Sequence, residues 1–138
     1  MAINNNDIRM MMKKCKRKDE KYFNENYLKY DLEEYRCKMI VALARILNAA
    51  DQEEIENGIM DAWMIAMTIT SQEFDESDFE IDKNVINCYD SYYKFSEVAV
   101  MILKNRTVML EGIMYIAERY HFSFEKIKER FQVIVNEK

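Results

Sequence analysis

The chain has no proline and only two glycines, Gly58 and Gly112, in 138 residues. Proline presets the first corner of a tight turn, and glycine supplies the positive φ that hairpins need. A sandwich or barrel calls for such turns every ten residues or so. Without them, a chain of this length folds as packed helices joined by short polar connections. Eleven methionines suit that outcome, because Met forms helices well and fills irregular gaps. With 49% apolar and 33% charged residues, the chain supports one hydrophobic core and is not a disordered polyelectrolyte. The expectation is a single all-α domain over 1–138, a compact bundle of five or six helices, with 1–24 as a basic helix at its periphery.

Apolar spacing places the helices. The first starts after the NNND run, capped by Asn6 or Asp7, with Ile8, Met11, Met12, Cys15, Tyr22 and Phe23 roughly on one face. The second runs from about Asp31 to Asn48, with Met39, Ile40, Leu43, Ile46 and Leu47 as its core stripe. Asp51 caps the third, with Glu54 in capping-box position. Its core face is Ile55, Ile59, Ala62, Ala66 and Met67, and Met60, Trp63, Met64 and Ile65 widen that face until the helix belongs near the centre. The acidic connection SQEFDESDFEID follows. A fourth helix covers about Asn84–Leu103, a fifth runs from a Thr107 cap through Tyr120, and Ser123 caps the last. There Phe122 and Ile127 form a hydrophobic staple.

Charge is segregated. Residues 1–24 carry seven Lys/Arg against three Asp/Glu, whereas 71–82 carry six acids and no base, within a net charge of −5. Overall acidity argues against a general nucleic-acid binder and leaves room for a local basic patch. Cys15, Cys37 and Cys88 are odd in number and widely spaced, which is neither a disulfide framework nor a zinc site and fits a reducing compartment. The start MAINNNDIRMMM lacks the pattern of a secretory signal, and no apolar run approaches the roughly 18 residues of a membrane span. A cytoplasmic location, without a membrane partner, is the expectation. The leaning toward Asn, Lys, Ile and Tyr suggests an AT-rich genome.

Familiar catalytic patterns are few. His121 is the only histidine. ERYH provides one Glu-x-x-His pair where a di-iron bundle needs two, so a histidine favoured at a helix C-terminus is the simpler reading. No GxSxG and no glycine-rich phosphate loop occur. The acids at 78, 80 and 82 lack the glycine and the bidentate Glu of a calcium loop and read as solvated. Carboxylates on helices remain, because acids three or four residues apart share a face, and two such helices can hold Mg²⁺ against a phosphate. Asp61, alone in the apolar run GIMDAWMIAMTI, is the residue to explain.

The second half, SYYKFSEVAVMIL through RTVMLEGIMYIAERYHFSFEKIKERF, resembles the all-α nucleotide pyrophosphohydrolase superfamily of MazG and dimeric dUTPase type. Those proteins tend to end in a helix of the form LLELAELLGFSWEEIEEAY, and VALARILN and GIMDAWMIAMTI resemble their two metal-binding helices. The resemblance implies a Mg²⁺-dependent hydrolase, usually dimeric. This chain departs from it where the metal would bind. The first Glu-x-x-Glu falls on Ala42 and Arg45; of the second pair only Asp61 is acidic, with Gly58 and Asn57 before it; and the phosphate-contacting Lys-Asn falls on Ile134 and Val135.

Two readings follow. In the first, the chain is a non-catalytic binding protein, a viral or mobile-element regulator or inhibitor, needing no cofactor and acting on a protein partner. Its candidate contacts are Glu73, Asp75, Glu76, Asp78, Glu80 and Asp82, together with Lys13, Lys14, Lys16, Arg17 and Lys18. Nucleic acid enters this reading only through nonspecific contact with that basic run. Asp61 then faces water or pairs with Arg45 on the neighbouring helix, a charge-assisted structural contact. In the second, the chain is a Mg²⁺-dependent (d)NTP pyrophosphohydrolase with a rearranged carboxylate set, Glu33, Glu34, Glu54, Asp61 and Glu97, and it forms a homodimer.

Overall fold

Short polar side chains at the connections set the element boundaries. The computed structural model describes residues 3–136, apart from the side chain of residue 92. Within them the chain forms seven α-helices and no strand: α1 Asn5–Glu25, α2 Leu32–Leu47, α3 Gln52–Glu73, α4 Lys83–Tyr92, α5 Phe95–Lys104, α6 Met109–Arg119 and α7 Phe124–Asn136. A single 3-10 turn, Arg106–Val108, precedes α6. No helix among the described residues is long and apolar enough to cross a membrane.

The caps are local and specific. Asn4, rather than Asn6 or Asp7, accepts the Asn6 N–H at 2.8 Å and starts α1. Asp31 accepts from Glu33 N–H at 3.0 Å. Asp51 accepts from Glu54 N–H at 2.9 Å, while the Glu54 carboxylate reaches back to Ala50 N–H at 2.8 Å. Asn105, rather than Thr107, caps the turn before α6, accepting from Thr107 N–H at 3.1 Å.

The helix count exceeds the expected five or six because the fourth segment breaks at Tyr93–Lys94. Both residues are extended there (φ/ψ −121/144 and −86/161), and Glu97 accepts the Lys94 N–H at 3.0 Å, opening α5 as a helix of its own. The break lets α4 and α5 each lay an apolar side on α6. Periodicity alone does not see it, since the apolar spacing runs on through the junction.

α3 lies at the centre, against α1, α2, α6 and α7, with Ile59, Ala62, Trp63, Ala66, Met67 and Ile69 fully buried. α6 is a second interior helix: all nine residues from Met109 to Ala117 are buried. α1 is integral rather than peripheral. Ile8, Met11, Met12 and Cys15 are buried against the common core, and Lys128 of α7 pairs with Asp7 of α1 at 3.3 Å.

Both glycines are used inside helices for close approach. A Cβ on Gly58 would stand 2.7 Å from Ile46 Cγ1 of α2, and one on Gly112 would stand 2.5 Å from Ile102 Cγ1 of α5. The left-handed positions after α1 and α6, where glycine is usual, are taken instead by Tyr27 (φ 56°) and His121 (φ 60°). At His121 the motif is complete, with Phe122 N–H donating to the Ala117 carbonyl at 2.8 Å.

Candidate functional site

α2 packs on α3 through Tyr35, Met39, Ala42, Leu43 and Ile46. Ile40 and Leu47, expected in that core stripe, lie on the opposite side, 52% and 58% exposed, with Val41 at 61%. The reason is angular. At 100° per residue, Ile40 and Leu47 lie 20° apart and about 60° and 40° beyond one edge of the Met39–Leu43–Ile46 stripe, while the buried Tyr35 and Ala42 extend it on the other flank and turn the face away from them. Cys37 and Ala44 are exposed between them, so α2 carries an uncharged strip of Cys37, Ile40, Val41, Ala44 and Leu47 facing outward.

Two compensated pairs flank this strip, while Glu33 and Arg36 near its N-terminal end are in no ion pair among the described residues. Glu34 pairs with Lys38 one turn on at 3.5 Å. Arg45 pairs with Asp61 across the α2–α3 contact, and both side chains remain about half exposed. Asp61 is thus an outer residue of α3 beside a shallow hollow of about 310 Å³ lined by Lys38, Val41, Ala42, Arg45 and Ile65.

Four of the five carboxylates of the Mg²⁺ reading are separately engaged. Glu54 caps α3 and Glu97 caps α5, as described above. Asp61 and Glu34 are in the ion pairs just named, and Glu33 is exposed in the first turn of α2. Asn57 accepts from Arg130 of α7 at 2.5 Å, and Glu56 pairs with the same guanidinium at 3.7 Å. Among the described residues, no three His, Cys, Asp or Glu side chains are grouped so that they could hold a metal ion.

The acidic connection lies against the first turns of α1. Arg9 pairs with Glu80 at 3.1 Å and donates to the Phe79 carbonyl at 3.2 Å. Lys13 pairs with Glu76 at 3.7 Å, and Asn5 accepts from Ile81 N–H at 2.9 Å. Glu73 pairs with Arg106 at 3.4 Å. Asp75 accepts from the Ser77 N–H and hydroxyl, bonds that hold its carboxyl below the ordinary carboxylate value. Asp82 caps α4, accepting from Asn84 N–H at 2.9 Å, and Asp78 is exposed. Lys14 donates to Gln132 Oε1 at 2.8 Å and Lys18 to the Ile134 carbonyl at 3.0 Å, both neutral acceptors on α7. Lys16 and Arg17 are exposed.

Two acidic groups, Asp19 half-buried and Glu111 buried, escaped the sequence reading. Asp19 Oδ2 accepts from Thr68 Oγ1 at 2.7 Å and from Cys15 Sγ at 3.2 Å, tying α1 to α3. Burial, reinforced by the Asp19 charge, pushes the Cys15 thiol far up, so this cysteine is a packed, unreactive group. Burial likewise raises Asp19. Glu111 of α6 is 1% exposed; one oxygen accepts the Asp82 N–H at 3.1 Å and the other has no partner among the described residues, and burial raises its pKa. A signal for Glu111 existed, since it is the sole charge in 107–117, the same pattern that singled out Asp61.

No protein family, no curated protein and no solved structure matches this chain. Its functional reading therefore rests on its own surfaces.

Proposed function

We propose that this chain is a non-catalytic binding domain that acts on a protein partner, in the manner of a small viral or mobile-element regulator. The observation that carries the reading is the outward apolar strip of α2, Cys37, Ile40, Val41, Ala44 and Leu47. Helical anchors at this spacing are a recurring way for one protein to dock on another. Compensated charge pairs beside the strip leave its desolvation cheap and its recognition apolar. The scattered engagement of Glu34, Glu54, Asp61 and Glu97 in pairs and caps supports the non-catalytic side of the reading.

The test compares the wild type with an Ile40→Asp/Val41→Asp variant, which alters exposed positions, with a thermal melt to verify that it folds. A protein from the source cells that is retained by the wild type and lost by the variant supports the reading. Light scattering on both reports whether that partner is a second copy. Equal retention by both proteins overturns the α2 assignment. A melting shift with Mg²⁺ and a nucleoside triphosphate that disappears in Asp61→Ala overturns the non-catalytic reading and restores the pyrophosphohydrolase.

A further inference from the structure

We infer that the groove between the C-terminal half of α1 and the end of α7 is a binding track for the phosphates of a single-stranded nucleic acid. The groove, about 890 Å³, is lined by Lys14, Arg17, Lys18, Lys21, Tyr22 and Glu25 of α1 and by Val135 and Asn136 of α7. Among the described residues, four cations thus face one carboxylate in a protein whose net charge is −5. The concentration follows from the fold. The acidic connection neutralises the other side of α1 through Arg9 and Lys13; it borders a neighbouring hollow that Arg17 also lines, but none of its residues lines this groove.

The four cations stand at i, i+3, i+4 and i+7, so they form one stripe on the helix. Two of them are positioned without being neutralised. Lys14 is held by an amide oxygen and Lys18 by a main-chain carbonyl, so each has a fixed place at the groove wall through a neutral acceptor rather than a carboxylate. Arg17 is exposed and offers a fork of donors suited to phosphate oxygens. Lys21 meets Glu25 only at 3.9 Å on an exposed turn, a pair too weak to withdraw it from a polyanion.

Chemistry selects the ligand. Seven residues of helix rise about 10 Å, so the stripe can follow a short run of backbone phosphates. Tyr22, exposed at the end of the stripe, presents an aromatic face on which an unpaired base can stack whatever its identity. An acidic peptide would use the cations and leave that ring idle. The inference is independent of the α2 face.

The experiment is fluorescence anisotropy of a labelled 15-mer oligothymidylate with the full chain from 50 to 300 mM salt. With three to four phosphates neutralised, log K should fall against log salt with a slope of about −2 to −3. Arg17→Ala/Lys21→Ala should weaken binding and make the slope shallower by about 1.4. Tyr22→Ala should weaken binding about fivefold or more at an unchanged slope. Lys104→Ala, a cation on α5 outside the groove, should leave binding within about twofold. All three variants alter exposed side chains, and unchanged melting confirms that they fold. Absence of binding at 50 mM salt overturns the inference, as does a Lys104→Ala effect equal to that of the groove variant. Competition by polyglutamate as strong as that by the oligonucleotide overturns it in favour of an acidic protein ligand. Tighter binding to a duplex overturns the single-strand assignment.

Discussion

Gly112→Ala isolates the packing on which the α5–α6 pair depends. In an exposed helix the change is favourable by about 1 kcal/mol, because alanine loses less backbone entropy than glycine. Here the new methyl would stand 2.5 Å from Ile102 Cγ1, 3.0 Å from Ile102 Cδ1 and 3.5 Å from Val98 Cγ1. Carbon atoms prefer about 3.5–4.0 Å, so the first contact is short by about 1 Å or more. Ile102 and Val98 are fully buried, so neither can swing into solvent, and α5 must move away or Ile102 must leave its rotamer. Such overpacking costs about 1–3 kcal/mol, and more where the backbone resists. We expect a net loss of about 1–2 kcal/mol, seen as a fall in Tm of about 3–8 °C for a domain of this size. Urea titration followed by circular dichroism measures it. The double-mutant cycle with Ile102→Ala makes the argument specific. Alone, Ile102→Ala should cost about 2–5 kcal/mol by opening a cavity. Combined with Gly112→Ala, the added methyl occupies part of that cavity, and the two costs should fall short of their sum by at least about 0.5 kcal/mol. A Gly112→Ala protein as stable as the wild type, or two strictly additive effects, would refute the close-approach account.

Other consequences are equally direct. Burial raises Glu111 above its ordinary value of 4.5, so its ionisation opposes folding. Its favourable contribution is complete below that ordinary value and is lost as pH rises through it toward the elevated folded value. Glu111→Gln keeps an acceptor for Asp82 N–H and removes the charge; its stability relative to wild type should therefore improve from pH 4 to pH 7.5 in urea titrations, and a constant difference would contradict the assignment. Asp19, raised by burial, contributes a wild-type pH dependence of the same sign, which Glu111→Gln leaves in place. His121→Gly relieves an unfavourable left-handed φ at an exposed site and should raise Tm, since the relief of about 1–2 kcal/mol exceeds the entropy that glycine adds to the unfolded chain; a fall in Tm would mean that the imidazole makes a compensating contact. Removing the solvent-screened Arg45–Asp61 pair by Asp61→Ala should cost no more than about 1 kcal/mol by thermal melt.

What the amino-acid order alone determines here is the class of fold and some of the helix starts. The lack of proline and the scarcity of glycine exclude turn-rich architectures, and Asp51 and Ser123 mark helix starts through bonds made within three residues, whereas Asn4, Asn105 and Asp82 cap where other residues, or none, were expected. The same local logic shows α3 to be central, because an apolar face that covers most of a helix has nowhere else to go. Tertiary structure decides everything that depends on which neighbour a face meets. Ile40 and Leu47 read as core by spacing, yet α2 touches α3 on one side only and leaves them outside. Glu111 and Asp61 are both lone carboxylates in apolar runs, yet α6 is enclosed on every side and α3 is open beside Arg45, so one carboxylate is buried and the other is solvated. The basic run of α1 and the acidic connection each look like free surface in sequence. Folding lays part of one against the other and leaves four cations together beside α7. Caps are made between residues adjacent in the chain and can be read there, whereas burial and net local charge are sums over residues as much as 120 positions apart, and only the packed chain performs those sums.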